Sequence, residues 1–257
     1  MDWLLPTVVT LIFLRLSAQL ALEALNRAEA RRHAAAGTEI VTATAAFGTE
    51  YVETAVEAAI AGHAVLDALA AHAEGCDGAI VAAFGDPGLA AAKAMLAVPV
   101  VGLTEAAVLA AAALGARFSI ICLTPGLGAW YRATVAGMGM AARLASVRAL
   151  DVAIPDILRA KEQTRALLIG ECRAAVATDG AAVVILGGGP LAGLAREAAG
   201  DIPVPALDGV SCAVRLLEAL VALVPRPAGA GSFAPVAGKP SRGLAVALAR
   251  RVEPERR

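Results

Sequence analysis

Two glycine-rich segments are the places in this sequence best suited to hold a small molecule. FGDPGL (84–89) and GGGPLAGL (187–194) each follow a short apolar run. Glycine lets a backbone approach a ligand closely, and the N–H groups at a helix start favour an anion such as a carboxylate. Tight strand-to-helix turns explain either segment alone, but the two together predict a two-sided cradle for a small acidic or imide-like molecule. Neither segment matches a dinucleotide-binding or phosphate-loop pattern.

Four side chains near these segments could exchange a proton or donate a hydrogen bond, and each also has a structural explanation. Cys122 ends an apolar run, so its thiol either faces the cradle or is buried and inert. Asp86 and Asp208 lie where helices are predicted to begin, and each is a candidate general base or a helix cap. Tyr131 is a candidate donor or a cover for the domain junction. The candidate substrate contacts are Phe84, Gly85, Thr124, Gly187, Gly188 and Gly189.

Composition excludes several classes of function. Hydrophobic residues make up 58% of the chain and aromatic residues 4%, so the core must consist of small aliphatic side chains. The net charge is −1 without a block of like charge, which disfavours nucleic acid and anionic membranes as partners. The four cysteines form no CxxC pair, so we expect neither a zinc site nor disulfides. Free cysteines are typical of a reducing compartment, so we expect a cytoplasmic location. We also expect no cofactor.

The apolar N-terminus (3–22) has two possible structures. Arg15 lies near its middle, where it would cost about 2.5–3.5 kcal/mol in a bilayer. The uninterrupted apolar run over 8–14 has the length of a strand, and Asp2 does not suit a signal peptide. We therefore predict a buried first strand followed by a helix capped by Ser17, with a membrane anchor as the alternative.

Short apolar runs alternate with longer helical patterns, which predicts an α/β fold with parallel sheets covered by helices on both faces. Strands are predicted over 8–14, 38–44, 79–83, 99–102, 117–122, 145–149, 182–186 and 203–206. Helices are predicted over 17–35, 51–73, 104–115, 127–137, 158–177 and 208–223. In the second helix, Val56, Ile60 and His63 recur at helical spacing, which indicates a face in the core or at an interface.

An internal repeat relates the two halves of the chain. DGAIVAAFGDPGLAAAK matches DGAAVVILGGGPLAGLA, with Gly88 and Gly193 separated by 105 residues. A repeat of this kind predicts two pseudo-symmetric lobes whose equivalent loops meet at a cleft, beyond the carboxyl ends of the strands. We place the lobes at 1–103 and 104–207, followed by a returning helix and a C-terminal wrap at 208–257.

The order of several motifs resembles the hydantoin racemase branch of the aspartate/glutamate/hydantoin racemase family. The similar segments are GTEIVTATAAFGTEYVE, DGAIVAAFGDPGLAAAK, VPVVGLTEAA, LGARFSII, VVILGGGPLAGLA, PALDGVSCAV and GSFAPVAGKPSRGL. The resemblance implies a two-lobed fold and the exchange of a proton at an acidic carbon by two cysteines, one on each side of the substrate. Inversion needs one group to remove the proton and another to deliver it to the opposite face, and a thiol of lowered pKa can do either.

Both of the cysteines that the resemblance implies are absent from this chain. The first position, immediately before FGDPG, is Ala83, and the second is Gly188. Neither side chain exchanges protons, so the two-thiol mechanism cannot be carried over. The family's Asn-Pro-Asn-Ser type of turn after the first strand is also poorly matched by 14–17 (LRLS).

Three functions therefore remain open. The first is an isomerase or lyase that acts on a small hydantoin, amino acid or carboxylate with a non-thiol acid–base set. The second is a pseudoenzyme that binds such a ligand without turnover. The third is a structural or maturation partner, which a cleft closed by Leu14, Leu16 or Leu191 would favour. The alanine-rich helices are compatible with a homo-oligomer.

Overall fold

Two four-stranded parallel sheets form the framework of the protein. The computed structural model describes residues 9–15, 20–152, 161–223, 230–234 and 238–253. The strands are β1 Val9–Arg15, β2 Thr38–Thr44, β3 Gly78–Val81, β4 Val100–Gly102, β5 Phe118–Cys122, β6 Leu144–Ala149, β7 Val183–Leu186 and β8 Ala206–Asp208. The helices are α1 Leu20–His33, α2 Ala55–His72, α3 Leu89–Met95, α4 Leu103–Leu114, α5 Pro125–Gly137, α6 Lys161–Asp179, α7 Leu194–Glu197, α8 Gly209–Leu223 and α9 Val246–Val252.

The two sheets have the same strand order, which confirms the α/β class and the two lobes. The first sheet runs β2-β1-β3-β4 and the second runs β6-β5-β7-β8, with parallel pairing throughout the described strands. Val81 pairs with Gly102 in the first sheet, and Leu186 pairs with Asp208 in the second. β3 is therefore equivalent to β7, and β4 to β8. The sequence repeat is thus a repeat of structure.

The central strands carry apolar side chains because helices cover both faces of each sheet. Every residue of β3, β5 and β7 is buried. Parallel strands covered on both faces read as continuous apolar runs, which is why periodicity found them. One core cluster includes Ile80 and Leu103 of the first lobe with Ile120 and Ile185 of the second. A common core therefore joins the lobes.

Helix α8 leaves the second lobe and packs against α1, α4, β3 and β4. Its Leu217 approaches β3 so closely that a Cβ at Gly78 would lie 2.8 Å from the Leu217 Cδ1. The division at 103 and 207, with a returning helix and C-terminal wrap from 208, stays a prediction.

Strand β8 differs from the prediction, because it spans Ala206–Asp208 instead of 203–206. Pro203 and Pro205 have no N–H group to donate to the sheet, so regular pairing begins after them. The Pro205 carbonyl still accepts a hydrogen bond from the Val184 N–H at 3.0 Å.

The buried face of α2 also differs from the prediction. Val56 is 71% exposed and Ile60 is 40% exposed. His63 is exposed and contacts the Phe47 ring edge-on, so of its two predicted positions the core is wrong and the interface stays a prediction. The face that packs inward consists of Ala61, Ala64, Val65, Ala68, Leu69 and Ala70. In an alanine-rich helix more than one face is apolar, so spacing cannot select the buried one.

The predicted first strand is confirmed as β1, where Arg15 pairs with Thr44 of β2. Across the ranges that the structure describes, no helix has both the length and the apolar character needed to cross a membrane. The predicted cap Ser17 lies outside the described residues, as do 224–229, 235–237 and 254–257 of the predicted C-terminal wrap.

Candidate functional site

The two glycine-rich loops follow β3 and β7 at equivalent positions. Gly88 and Gly193 each precede a short helix and have left-handed backbone conformations, with φ of 74° and 81°. Glycine is the residue that adopts this conformation without steric cost. The repeat therefore extends to the backbone geometry of the loops.

The first loop is covered by the second lobe. Gly85 has φ of +103°, and a Cβ there would overlap the indole ring of Trp130 on α5. The Gly85 N–H donates to the Thr104 Oγ1 at 2.6 Å. Phe84 is buried, and its ring packs edge-on against Tyr131 with centroids 4.8 Å apart. The space above Gly85 is thus occupied by an indole of the protein itself.

Asp86 caps a helix that is distant in the sequence. Its backbone is left-handed, with φ of 53°. Its two carboxylate oxygens accept the Thr104 N–H at 2.9 Å and the Glu105 N–H at 2.7 Å, which are the first N–H groups of α4. Desolvation raises the pKa of Asp86 to about 7, although the two N–H groups act to lower it. Both oxygens are therefore in structural use.

The second loop has room for a side chain, but its backbone requires glycine. Gly188 has φ of 133° and ψ of 143°. A Cβ there would lie 3.7 Å from the Pro190 Cδ, 3.9 Å from the Leu123 Cδ1 and 3.9 Å from the Tyr131 Oη, which are ordinary contacts. Ala83, the equivalent residue of the first loop, has no such positive φ. The two positions that the family fills with cysteine have therefore diverged in different ways.

Two buried polar side chains, Tyr131 and Asn26, lie beside Gly188 and Gly189. Tyr131 is 2% exposed, and none of the described residues bonds to its hydroxyl. Burial raises the pKa of Tyr131 well above its ordinary range, and repulsion from Cys122, Asp86 and Glu53 raises it further. Asn26 is 4% exposed, and its Oδ1 has no partner in the described part of the chain. Buried polar groups of proteins are normally paired, so this side of the second loop stands out.

The second of these groups, Asn26, lies directly against the loop. The Asn26 Nδ2 is 2.9 Å from where a Cβ of Gly189 would be. A side chain at this position would therefore displace the carboxamide.

A residue that sequence reasoning missed, Glu53, links the two lobes. The Thr124 Oγ1 donates to the Glu53 Oε1 at 2.6 Å, across 71 residues of sequence. Thr124 also caps α5 by accepting the Leu127 N–H at 3.3 Å. Glu53 lies in the connection before α2 and is partly buried, so part of the residue stays exposed to solvent. The sequence shows only that Glu53 directly precedes the capping box of α2, and that pattern indicates the start of a helix and no functional role.

The other two predicted acid–base candidates are held by the protein. Cys122 is fully buried, and its Sγ lies 3.4 Å from both the Thr124 and Arg148 carbonyl oxygens. Desolvation raises the pKa of its thiol to about 11. Asp208 is 3% exposed and accepts both the N–H and the hydroxyl of Ser211, at 2.9 and 3.0 Å. Burial raises the pKa of Asp208 as well.

Two parallel sheets in pseudo-symmetric lobes, with facing loops at the carboxyl ends of β3 and β7, define a protein of the racemase type. The chain belongs to the Asp/Glu/Hydantoin racemase family, whose model matches residues 16–217. The resemblance inferred from the motifs is thereby confirmed.

Individual relatives agree with this assignment. The chain is 30% identical over 195 residues to a hydantoin racemase of Pseudomonas sp. (strain NS671), which covers 76% of this chain and 78% of the relative. The structure of the present chain is similar to that of allantoin racemase from Klebsiella pneumoniae, with a TM-score of 0.88 and 32% identity. The match covers 93% of this chain and 98% of the other. Glutamate racemase from Bacillus anthracis shares the fold, with a TM-score of 0.62, 13% identity, and coverage of 85% and 83%. Family membership supports a racemase-like function on small substrates.

Proposed function

We propose that this protein acts on a small uncharged ring with an acidic C–H beside a carbonyl, as in a 5-substituted hydantoin, and that the ring binds beside 187–189. The observation that carries the proposal is the buried Asn26 Oδ1, which has no partner in the described part of the chain, together with the Tyr131 hydroxyl beside Gly188. A cyclic amide offers both N–H donors and carbonyl acceptors, so it can satisfy a hydroxyl and a carboxamide together.

An uncharged ring fits the surroundings better than a carboxylate or an amino acid does. The helix ends that would favour an anion are already capped by the protein, α4 by Asp86, α5 by Thr124 and α8 by Asp208. The carboxylate of Glu53 beside Thr124 would repel a second carboxylate. The anion cradle expected from the glycine-rich segments is therefore not part of the proposal.

The proposed reaction is the racemase-type removal and return of the ring C–H proton, or a lyase step through the same enolate, without the usual thiols. Preorganised donors beside the carbonyl stabilise the enolate, which is the part of the chemistry that a thiol pair does not supply. The free state of all four cysteines suits a reducing compartment, and we place the activity in the cytoplasm. A homo-oligomer is part of the same expectation.

The test is proton NMR in heavy water with 5-methylhydantoin and 5-benzylhydantoin, and with alanine and succinate as charged comparisons. We expect the C5–H signal to disappear faster than in a buffer blank for the hydantoins only. Tyr131→Phe and Asn26→Ala should each weaken hydantoin binding about tenfold, since each removes one hydrogen bond in a desolvated site. Absence of exchange above the blank would disprove the proposed reaction, and absence of line broadening as well would disprove binding of the hydantoins.

A second candidate function is binding without turnover, which the replacement of both thiols by Ala83 and Gly188 favours. It predicts line broadening of the hydantoin signals with no exchange above the blank. The structural alternative predicts neither line broadening nor exchange with the hydantoins.

A further inference from the structure

We infer that Glu53 is the acid–base residue that replaces the missing thiols, with the Tyr131 hydroxyl as hydrogen-bond donor to the enolate. This inference rests on the proposed function, because it assigns the group that moves the proton at that site. It begins from the need for a base: an acidic C–H exchanges only if a positioned group accepts its proton.

Among the acidic side chains that the structure describes around the two loops, Glu53 keeps one oxygen without a described partner and forms no described ion pair. Asp86 and Asp208 use both carboxylate oxygens as helix caps. Glu105 pairs with Lys93. The Cys122 thiol is sealed in the core. In Glu53 the Oε1 accepts from Thr124, and no described group bonds to the Oε2.

The Thr124 hydrogen bond gives the Glu53 carboxylate a defined position. Thr124 is itself held as the N-cap of α5, so its hydroxyl has a fixed direction. The bond crosses from the first lobe to the second. Thr124 directly follows Leu123, whose Cδ1 lies 3.9 Å from where a Cβ of Gly188 would be, so the bond holds the Glu53 carboxylate on the side of the second loop.

Tyr131 suits the role of a hydrogen-bond donor that keeps its proton. Its hydroxyl lies 3.9 Å from where a Cβ of Gly188 would be, at the position of the family's second cysteine. Because burial and the nearby acids disfavour its ionised form, the hydroxyl stays neutral throughout the neutral pH range.

In the proposed step the ring C–H bond breaks and its proton goes to the Oε2 of Glu53. The electron pair of that bond moves into the adjacent carbonyl to form an enolate. The enolate oxygen accepts a hydrogen bond from Tyr131. Return of a proton from Glu53 restores the C–H bond, and in heavy water the returned nucleus is deuterium.

A single carboxylate removes the proton and returns deuterium on the same face of the ring, which exchanges the nucleus without inverting the carbon. Deuterium exchange should therefore be faster than loss of optical activity. In a two-thiol enzyme each exchange event can deliver the proton to the opposite face. The ratio of the two rates therefore reports the one-sided arrangement.

The experiment measures NMR exchange and polarimetry on enantiopure 5-benzylhydantoin, corrected for the blank, with binding measured on the same samples. Glu53→Gln keeps an oxygen for the Thr124 hydroxyl but cannot accept the proton. We expect it to lower exchange about 100-fold or more while binding changes less than about threefold. Glu53→Asp should retain part of the rate. Glu74→Gln, at an exposed glutamate in the α2–β3 connection, is the matched control and should behave as the wild type does.

Thr124 variants separate positioning from folding. Thr124→Ser keeps the hydroxyl and should retain the rate, whereas Thr124→Val should lower the exchange rate about tenfold with binding retained.

The outcomes distinguish this inference from the proposed function. Exchange by the wild type that persists in Glu53→Gln would overturn the role of Glu53 and leave the proposed function standing. Equal rates of exchange and racemisation would overturn the one-sided base. A wild type that shows no exchange would overturn both.

Discussion

In the first lobe, β4 ends at Gly102, and α4 receives its cap from Asp86 in the loop after β3. In the second lobe, β8 ends at Asp208, which caps α8 itself, and the loop position equivalent to Asp86 is Leu191. The two arrangements exclude each other, because a Cβ at Gly102 would overlap the Asp86 carboxylate. In both lobes a carboxylate therefore caps the helix that follows the fourth strand of the sheet, but Asp86 supplies it from a distant loop and Asp208 supplies it from the strand end.

The comparison explains why the loops are not interchangeable as ligand sites. The first loop is held by a carboxylate and covered by Trp130, so its polar groups are satisfied within the protein. In the second loop the equivalent residue is the buried Leu191, and the Asn26 Oδ1 beside this loop has no partner in the described part of the chain. We therefore expect ligand chemistry at the second loop and structural chemistry at the first.

The largest effect should come from exchanging the two capping arrangements. Gly102→Asp alone places a second carboxylate on Asp86 and should lower the free energy of unfolding by about 3–5 kcal/mol. Asp86→Leu alone removes the cap of α4 and should cost about 1–2 kcal/mol. The double variant recreates the second-lobe arrangement and should recover most of the loss in urea unfolding. Simple additivity of the two costs would contradict the proposed equivalence.

The next effect concerns the two family cysteine positions. Gly188→Ala should cost about 1–3 kcal/mol, because φ of 133° with ψ of 143° is strained for any residue with a Cβ, although the space is sufficient. Ala83→Cys should change the unfolding free energy by less than about 1 kcal/mol, because its backbone is ordinary. Urea unfolding of both variants measures the difference, and equal costs would show that backbone strain is not what separates the positions.

A pH dependence follows from the carboxylate of the first loop. The folded-state pKa of Asp86 is raised from 3.8 to about 7, so between these values the native state holds a proton that the unfolded chain has lost. Stability from this group is therefore fully present below about pH 4 and is lost as the pH rises through 7, by on the order of 4 kcal/mol in total. Urea midpoints at a series of pH values should show this slope in the wild type and a flatter profile in Asp86→Asn. An identical slope in the variant would assign the dependence to another group.

The smallest effect concerns an ion pair that only the second loop makes. Arg196 of α7 contacts Glu29 of α1 at 3.3 Å, and the equivalent first-lobe residue is Ala91. Arg196→Gln should cost less than about 1 kcal/mol, and less still at high salt, because the arginine is 44% exposed. Desolvation opposes the ionised form of Glu29, but the hydrogen bonds from Arg196 and His33 outweigh it and lower its pKa. This contribution is therefore present above pH 4.5 and is lost as the pH falls below it, which unfolding at acid pH would show.

The sequence by itself determined the strand and helix alternation, the repeat and the loss of both thiols. These features are local: parallel strands covered on both faces read as apolar runs, glycine marks the left-handed turns, and residue identity alone shows that Ala83 and Gly188 cannot exchange protons. Long elements repeat their apolar pattern often enough to be recognised, whereas short ones do not. The short helices α3 and α7 and the proline-shifted strand β8 were therefore the least predictable elements.

Only the tertiary structure decided what each candidate residue contacts. The cap that Asp86 provides to α4 joins groups 18 residues apart, and the Glu53–Thr124 bond joins groups 71 residues apart. Nor does any local pattern reveal that Gly85 lies beneath Trp130 instead of facing a ligand. Periodicity reports which way a side chain points within its own element, whereas the partner across the cleft depends on how two lobes pack. That is why the sequence shows which side chains stand at Ala83 and Gly188, whereas the contacts around them depend on the fold.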